Sequence, residues 1–214
     1  MSPASRQEKL ADLFKSATII PVLTIERLED AVPLANALVA GGVRTLEVTL
    51  RTPVAIEAAK AMIAKVPDAI IGIGTILNAD DLARAEALGA VFGISPGATP
   101  DLLKAAAASA LPFAPGIATA SELMQALAHG FDLVKFFPAE QSGGIASLKA
   151  FASPLADVKF CPTGGITAAT APQFLALPNV RVCGGSWLTP EDAVAAGDWP
   201  RITALAREAS ALRA

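Results

Sequence analysis

Short apolar runs alternate with longer runs of helical period along the whole chain. The short runs are rich in Ile, Val and Phe and are mostly apolar at consecutive positions, which is typical of parallel strands buried on both faces. Eight strands are predicted, over residues 17–23, 44–50, 69–73, 90–94, 111–115, 131–137, 157–162 and 180–184. Because the runs between them are rich in Ala and Leu and have helical period, the pattern predicts repeated βα units around a parallel sheet.

Residue types at the ends of the Ala- and Leu-rich runs mark where the helices begin and end. Capping residues predict four helix starts, at Asn78, at Thr99 before Pro100, at Thr119 with Glu122, and at Thr189 before Pro190 with Asp192. Glycines that close a run predict three helix ends, at Gly41, Gly89 and Gly130. Residues 1–15 predict one more short amphipathic helix ahead of the first strand.

The number and spacing of these elements indicate one domain. A chain of 214 residues fits one α/β barrel or one doubly wound domain. No linker rich in Ser, Pro or Gly divides it, and the same joint of helix, glycine and strand recurs along it. We therefore expect an α/β fold, a (β/α)₈ TIM barrel with an extra N-terminal helix, that takes up residues 1–214 as a single domain.

Composition agrees with a globular protein and excludes several kinds of partner. Of the residues, 53% are hydrophobic, which is enough to build a large core, and 16 Gly and 16 Pro supply turns. The 20 acidic and 17 basic residues are spread along the chain, so no basic stripe favours nucleic acid. No apolar run approaches the roughly 18 residues that span a bilayer. We expect a soluble protein without an export signal and without a membrane partner.

Cysteine and histidine are too few for a metal site. Cys161 and Cys183 lie in apolar runs without CxxC spacing, which indicates buried, reduced thiols. His129, the only histidine, precedes Gly130 at a predicted helix end, where a cation is favourable. No metal and no cofactor are expected. The segment Gly72-Ile73-Gly74-Thr75 lacks the third glycine of a dinucleotide fingerprint.

The second predicted strand carries charged side chains on one face. A period of two places Leu46, Val48 and Leu50 on one side of the strand and Glu47, Thr49 and Arg51 on the other. If helices cover the apolar side, the polar side points into the barrel. Charged groups there are costly to desolvate, so they need either a partner or a function. An ion pair between Glu47 and Arg51 with a purely structural role is the alternative.

Lys135 is the stronger indication of chemistry. It lies in Leu133-Val134-Lys135-Phe136-Phe137-Pro138, a strand too apolar for its amine to reach water easily. Burial and a nearby cation such as Arg51 disfavour the ammonium form and expose the neutral amine that attacks carbonyl groups. The alternative is a core lysine paired with Glu47 alone. Lys159 competes as a nucleophile, but it lies near the start of its strand, where we expect it to be solvated.

Small and hydroxyl-bearing residues follow several strands, and these strand ends would meet at one barrel mouth. They are Thr75, Thr163-Gly164-Gly165 and Gly184-Gly185-Ser186. Glycines after the last two strands allow an anion to approach backbone N–H groups, as in the phosphate sites of such barrels. The alternative is that they only form turns. Pro96-Gly97 and Pro115-Gly116 also follow strands, where they would shape the mouth.

These residues together resemble the 2-keto-3-deoxy-6-phosphogluconate (KDPG) aldolases, also called 4-hydroxy-2-oxoglutarate aldolases, which are class I aldolases. The resemblance covers almost the whole chain. It is carried by Ile20-Pro21-Val22, Leu46-Glu47-Val48-Thr49-Leu50-Arg51, Gly74-Thr75, Ile94-Ser95-Pro96-Gly97, Val134-Lys135-Phe136-Phe137-Pro138-Ala139-Glu140, Cys161-Pro162-Thr163-Gly164-Gly165-Ile166 and Gly184-Gly185-Ser186-Trp187. One departure is Asn78-Ala79, where relatives often carry Asn-Pro; it lies at a helix start.

The resemblance implies an activity and a role for each matching residue. It implies a cytoplasmic homotrimer that cleaves KDPG, a phosphorylated 2-oxo acid, to pyruvate and glyceraldehyde 3-phosphate in the Entner–Doudoroff pathway. Lys135 would form the Schiff base, Glu47 would be the acid/base, and Arg51 and Thr75 would surround the pyruvyl carboxylate. Phosphate contacts would come from Gly164, Gly165 and Ser186. The expected substrate-binding set also includes Pro96, Phe137, Thr163 and Gly185.

Other functions remain open at this point. The substrate could be the C4-epimeric phosphogalactonate acid or unphosphorylated 4-hydroxy-2-oxoglutarate. A phosphosugar isomerase or epimerase would use the same barrel and mouth but would need no buried lysine. A non-catalytic sensor would only bind phosphorylated acids.

Overall fold

The computed structural model describes residues 3–213 and has an α/β fold in which helices cover a curled parallel sheet. The strands in this range are Ile19–Leu23 (β1), Thr45–Thr49 (β2), Ile70–Gly74 (β3), Phe92–Ile94 (β4), Phe113–Ala114 (β5), Gly116–Ile117 (β6), Leu133–Phe136 (β7), Lys159–Pro162 (β8) and Cys183–Gly185 (β9). Each of the eight predicted strand regions contains a strand, and one further short strand, β6, follows the fifth region.

The helices surround the strands in the predicted alternation. They are Pro3–Lys15 (α1), Ala31–Ala40 (α2), Ala55–Lys65 (α3), Ala79–Ala87 (α4), Pro100–Ala108 (α5), Ala120–Ala128 (α6), Gly144–Ala152 (α7), Ala171–Leu175 (α8), Glu191–Ala195 (α9) and Trp199–Ser210 (α10). The predicted N-terminal helix is α1; Met1 and Ser2 lie outside the described residues, as does Ala214. Among the described helices, none combines the length and the apolar character that crossing a bilayer requires.

The strands pair in two parallel groups. The larger sheet has the order β5-β4-β3-β2-β1-β9, and the smaller has the order β6-β7-β8. Pro115 separates β5 from β6 because it has no N–H for the ladder, while its carbonyl accepts a hydrogen bond from the Lys135 N–H at 2.9 Å. At the other side, an isolated parallel bridge joins Thr163 to Gly184. The two groups are therefore adjacent at both of their margins.

Alternation along the strands separates two buried layers. In β7, Val134 and Phe136 pack in the larger cluster, which the sheet shares with the surrounding helices. Leu133 packs in the inner cluster, whose members are Leu10, Phe14, Ile20, Phe92, Ile94, Ala114, Leu133, Cys161 and Val182. Two of these, Leu10 and Phe14, come from α1. Helix α1 thus covers the amino ends of the strands, and functional groups are left to the carboxyl ends.

Three of the four predicted helix starts are confirmed by their capping bonds. The side chains of Asn78, Thr99 and Thr119 accept hydrogen bonds from the backbone N–H three residues later, at 2.8, 3.2 and 3.3 Å. Thr119 forms a full capping box with Glu122. These caps satisfy N–H groups that a helix leaves without partners, so they fix where α4, α5 and α6 begin.

The predicted helix start at Thr189 is wrong. Helix α9 begins at Glu191, and Pro190 precedes it without a side-chain capping bond. The Thr189 hydroxyl instead donates to the Ser186 carbonyl at 3.4 Å, and the Thr189 N–H donates to the same carbonyl at 3.1 Å. Pro190 has a ψ of 137°, which lies outside the helical range, so Pro190 takes the capping position and the helix starts one residue later than predicted.

Gln7 of α1 ties together the strands on either side of the Pro115 break. Its Nε2 donates to the Phe113 carbonyl at 2.9 Å, and its Oε1 accepts from the Leu133 N–H at 3.0 Å. We expect Gln7→Ala to lower the free energy of unfolding by about 2 to 5 kcal/mol, because it leaves two buried backbone groups unsatisfied. Urea denaturation measures this. Gln125→Ala, on the exposed side of α6, is the matched control; an equal loss in both variants would contradict the role of Gln7.

Candidate active site

Lys135 and Glu47 form a buried ion pair inside the curl of the sheet. Lys135 lies on β7 and is 3% exposed, and Glu47 lies on β2 and is 1% exposed. Lys135 Nζ lies 3.1 Å from Glu47 Oε1, within hydrogen-bonding distance. The predicted burial of Lys135 is confirmed. The partner of Glu47 is this lysine, so the alternative of a structural Glu47–Arg51 pair is not what the structure shows.

This pair is suited to proton exchange. Taking an ammonium and a carboxylate out of water is costly, and close pairing with a good hydrogen bond offsets the cost. The same contact allows the proton on Lys135 to pass to Glu47, which leaves a neutral amine and a carboxylic acid. The neutral amine is the form that attacks a carbonyl carbon. Phe137, half-buried after β7, closes one side, with its ring centroid 5.3 Å from Nζ.

Gly74, at the end of β3, makes room for the Glu47 carboxylate. Gly74 pairs with Thr49 on the neighbouring strand β2, two residues beyond Glu47. A Cβ built on Gly74 would overlap Glu47 Oε1 and crowd the Cγ and Cδ atoms of the same side chain. The absence of a side chain at position 74 is therefore what lets the carboxylate lie beside Lys135.

Arg51 and Thr75 lie at the carboxyl edge of β2 and β3. Arg51 Nε donates to Thr75 Oγ1 at 3.2 Å. The prediction that Arg51 points into the barrel is wrong, because β2 ends at Thr49 and the Arg51 side chain is exposed. Thr75 has a φ of 60°, a left-handed conformation that is costly for a β-branched residue. This conformation brings the Thr75 hydroxyl to the guanidinium of Arg51.

The segment after β8 presents free backbone N–H groups. Gly164 and Gly165 have φ values of 103° and 78°, which non-glycine residues rarely adopt. The carbonyls of Thr163 and Gly164 accept hydrogen bonds from Ala139 N and Glu140 N, at 2.8 and 3.1 Å. In the part of the chain that the structure describes, we find no hydrogen bond donated by the N–H of Gly164 or Gly165. The carbonyls of this segment are thus bonded, while the two N–H groups point to no acceptor among the described residues.

Ser186 connects this edge to a neighbouring cavity. It follows β9, is exposed, and lies at one side of a cavity of about 630 Å³ between the ends of β1 and β9. Gly185, just before it, is buried beneath the Trp187 ring, where a Cβ would overlap the ring. The neighbouring Gly184 leaves space for the side chain of Thr163, because a Cβ at position 184 would overlap the Thr163 hydroxyl.

The comparisons with known proteins identify the family. The family model described as "Aldolase: KDPG and KHG aldolase" matches residues 10–205. The chain belongs to this family. The 2-dehydro-3-deoxy-phosphogluconate aldolase of Pseudoalteromonas atlantica (strain T6c) is 54% identical over 200 residues, which are 94% of this chain and 93% of that protein. The KHG/KDPG aldolase of Escherichia coli K12 is 53% identical over 197 residues, or 92% of each chain.

Solved structures of similar proteins support this family assignment. The KDPG aldolase from Legionella pneumophila, with pyruvate captured as a covalent carbinolamine intermediate, has a TM-score of 0.92 and 46% identity, with 99% of each chain covered. The KDPG aldolase of Zymomonas mobilis ZM4 with 3-phosphoglycerate has a TM-score of 0.90 and 49% identity, with 94% of each chain covered. The protein is therefore an aldolase, a lyase that breaks a carbon–carbon bond, and the expected family is confirmed.

Ser95 shapes the mouth of this aldolase, although the sequence did not single it out. It is fully buried, and its Oγ accepts a hydrogen bond from the Gly116 N–H at 3.1 Å. Gly116 lies against the carbonyl of Pro96, so close that a Cβ would overlap it. The loops after β4 and around Pro115 are therefore locked together. A polar residue directly after an apolar strand, inside Ile94-Ser95-Pro96-Gly97, was the available signal.

Cys161 lies beside the pair of Lys135 and Glu47, and its thiol is buried. It pairs in register with Lys135 across β7 and β8, and it is 1% exposed. Burial raises the pKa of the Cys161 thiol to about 12 despite the opposing effect of the Lys135 charge. The thiol therefore stays protonated at neutral pH. The prediction that Cys161 and Cys183 are buried thiols is confirmed.

The remaining candidates lie away from the site. His129 ends α6, and its Nδ1 lies 2.9 Å from the Gln125 carbonyl, as the predicted helix-end position implies. Lys159 begins β8, in register with Leu133 near α1, and its Nζ lies 3.5 Å from the Pro178 carbonyl. Within residues 3–213, no three His, Cys, Asp or Glu side chains form a group that could hold a metal ion.

We expect Gly74→Ala to lower kcat by about 10²-fold, because displacing a catalytic group by about 1 Å has effects of that size. The added methyl group would push the Glu47 carboxylate away from Lys135. Steady-state cleavage assays measure the change. Gly97→Ala is the control, since a Cβ at Gly97 meets nothing within 4 Å. Full activity in the Gly74 variant would show that the carboxylate position does not depend on this space.

Proposed function

We propose that the protein cleaves KDPG to pyruvate and glyceraldehyde 3-phosphate through a Schiff base on Lys135. The observation that carries this proposal is the buried amine of Lys135, 3.1 Å from the carboxylate of Glu47. The pyruvate carbinolamine trapped in the Legionella relative and the 3-phosphoglycerate in the Zymomonas relative support it. The names of the relatives also support it.

Formation of the Schiff base uses both members of the pair. Lys135 passes its proton to Glu47, and the neutral amine adds to the C2 carbonyl of the substrate. Glu47 then protonates the oxygen of the carbinolamine, which leaves as water and gives an iminium ion. Because both groups are buried, this charge movement is not screened by bulk water.

The iminium ion accepts the electron pair when the C3–C4 bond breaks. Glu47, acting through a water molecule, takes the proton of the C4 hydroxyl, so that C4 becomes the aldehyde of glyceraldehyde 3-phosphate. The electron pair left on C3 becomes part of an enamine that is bonded to Lys135. Protonation at C3 and addition of water to C2 then release pyruvate and restore the amine.

Two anion sites hold the ends of the substrate. Arg51 and Thr75 bind the C1 carboxylate, since the guanidinium is exposed at the edge and aligned by the hydroxyl. Free N–H groups of Gly164 and Gly165, with Gly185 and Ser186 opposite, bind the phosphate. The sides of the site are formed by Pro96, Phe137 and Thr163. These groups take no part in bond making, but they fix the position of C2 relative to Lys135.

The architecture that presents this site is one closed domain. The two parallel groups of strands, adjacent at both margins, form a single (β/α)₈ barrel, with β5 and β6 acting as one strand and α1 closing its floor. This barrel works as a homotrimer in the cytoplasm, as the family resemblance implies.

The same geometry can be compared with what the alternative substrates and functions would require. Cleavage of 4-hydroxy-2-oxoglutarate to pyruvate and glyoxylate is supported by the double name of the Escherichia coli relative and would leave the phosphate site empty. The C4-epimeric phosphogalactonate acid offers the same two anionic ends. Isomerase, epimerase and sensor functions explain neither the buried amine nor its carboxylate partner.

Borohydride reduction in the presence of pyruvate tests the proposal. We expect the mass of the protein to increase by one reduced pyruvyl group, located on Lys135 by peptide mapping. An isomerase or a sensor would leave the mass unchanged, and that result would overturn the Schiff-base mechanism. Values of kcat/KM for the three candidate acids then rank the substrates.

A further inference from the structure

The amine and the carboxylate of the buried pair belong to different groups of strands. Lys135 lies on β7, in the smaller sheet, and Glu47 lies on β2, in the larger sheet. The two strands do not pair with each other, since β7 has β6 and β8 as neighbours and β2 has β1 and β3. The 3.1 Å between Lys135 Nζ and Glu47 Oε1 therefore depends on how the two sheets are joined at their margins.

At the margin next to β7, a side chain continues the hydrogen-bond ladder of the backbone. The N–H of Gly93 donates to the Pro112 carbonyl at 2.8 Å, and the N–H of Ser95 donates to the Ala114 carbonyl at 3.3 Å. In a regular parallel ladder the next donor is the N–H of Gly116, and its acceptor is the backbone carbonyl of Ser95. The Gly116 N–H instead donates to the side chain of Ser95, at 3.1 Å from Oγ.

The Ser95 hydroxyl oxygen thus takes the place of a backbone acceptor between the two sheets. Ser95 is fully buried, so bulk water does not reach this bond. Gly116 lies so close to Pro96 that a Cβ would overlap the Pro96 carbonyl. Because a buried N–H without an acceptor is costly, the bond from Gly116 to Ser95 holds β6 against the end of β4.

Strand β6 in turn holds the backbone of Lys135. Gly116 and Lys135 are partners in the register of β6 and β7. The N–H of Lys135 donates to the Pro115 carbonyl at 2.9 Å, and the N–H of Phe137 donates to the Ile117 carbonyl at 3.0 Å. The main chain around the Lys135 side chain is therefore bonded to β6 and to the residue before it. A displacement of β6 at this point displaces Lys135 as well.

The bond made by Ser95 lies at the level of the amine, whereas another link between the sheets lies below it. Gln7 of α1 accepts a hydrogen bond from the N–H of Leu133, two residues before Lys135. The bond between Ser95 and Gly116 lies at the register position of Lys135 itself. Its acceptor is a side-chain atom, so a substitution can remove the bond and leave the backbone chemically unchanged.

We propose that Ser95 is a positioning residue, whose hydroxyl oxygen holds β6 so that the Lys135 amine stays aligned with the Glu47 carboxylate. This inference rests on the proposed function, in which that pair forms the Schiff base. Ser95 acts through Gly116 and the backbone of Lys135, and not by contact with the substrate. Loss of its hydroxyl leaves both members of the pair in place chemically and alters the distance between them.

The rate at which the pyruvate adduct forms tests this role. We expect Ser95→Ala to form the borohydride-reducible adduct about 10-fold more slowly at saturating pyruvate, because a displacement of about 1 Å costs about 10²-fold and a smaller one costs less. Ser95→Cys should give an intermediate rate, since sulfur is a weaker acceptor. Thr203→Ala is the matched control. It removes a hydroxyl that donates to the Ala37 carbonyl at 3.0 Å between α10 and α2, and it should keep the wild-type rate.

The coupling between Ser95 and Glu47 distinguishes positioning from a general loss of stability. If Ser95 acts by aligning the pair, Ser95→Ala should slow adduct formation by less than about 2-fold in protein that already carries Glu47→Gln. A general disturbance would slow the reaction by the same factor in both backgrounds. That result, or a wild-type rate in Ser95→Ala, would overturn the role of Ser95.

Amide hydrogen exchange in the wild-type protein tests the bond even if Ser95→Ala does not fold. We expect the Gly116 N–H to exchange about as slowly as the Lys135 N–H, since both are bonded donors in the interior. Rapid exchange at Gly116 alone would overturn the role of Ser95 and leave the Schiff-base proposal standing. Failure of the wild-type protein to form the pyruvate adduct would overturn both proposals.

Discussion

Lys135→Ala is expected to reduce KDPG cleavage by at least about 10⁴-fold and to abolish the borohydride adduct with pyruvate. The physical reason is that Lys135 is the lysine paired with Glu47, whereas Lys159, on the neighbouring strand, is two register positions away toward α1. Lys135→Met, which keeps the volume of the side chain, should behave in the same way. Mass spectrometry after reduction and a coupled assay for pyruvate measure both effects.

Lys159→Ala is the matched control for this prediction. It also removes a lysine from an inner strand, but its amine is directed to the Pro178 carbonyl rather than to Glu47. The control should keep its adduct and its activity. An adduct that persists in Lys135→Ala and disappears in Lys159→Ala would move the nucleophile to the other lysine and overturn the mechanism.

Glu47→Gln is expected to lower kcat by about 10²- to 10⁴-fold, the usual contribution of a general acid/base. The amide is of nearly the same size, so it fits the space that Gly74 leaves, but it can neither take the Lys135 proton nor supply one to the carbinolamine. We expect the pyruvate adduct to form much more slowly and to reach the same final mass. Rapid quenching with borohydride at successive times measures this rate.

Glu57→Gln provides the comparison for Glu47→Gln. Glu57 lies on α3 and pairs with Lys60 in a largely exposed ion pair at 2.7 Å, so its loss should change neither activity nor adduct formation. A Glu47 variant with a normal rate of adduct formation and a low rate of cleavage would restrict Glu47 to the carbon–carbon bond step. Normal rates of both would remove it from the mechanism.

The order of elements was predictable because each signal is local. Apolar runs, capping residues and terminal glycines act within a few residues, so the strands and three of the four predicted helix starts could be read from the chain. The failure at Thr189 is a shift of one residue, since Pro190 keeps an extended ψ of 137° and the helix begins only at Glu191. Strand ends were less well predicted, since β2 already ends at Thr49 and Arg51 therefore lies beyond the strand.

The candidate site was predictable in its residue types and not in its geometry. A lysine in one apolar strand and a glutamate in another could be recognised as candidates, because burying a charged side chain is costly. That they face each other at 3.1 Å depends on β2 and β7 lying across the curl of the sheet. The contribution of Gly74 is the space that it leaves for a side chain of the neighbouring strand, and no pattern along the chain contains that information.

The sequence by itself determined the alternation of strands and helices, the residues that carry charge into the interior, and the family, because these depend on side-chain character and short-range order. Only the tertiary structure decided which charged groups meet, which glycine leaves space for the Glu47 carboxylate, and where α1 closes the inner cluster. Those features arise from contacts between residues far apart in the chain, 88 positions for Glu47 with Lys135 and 126 positions for Gln7 with Leu133. Distances across a sheet follow from its closure and register, which are properties of all its strands together.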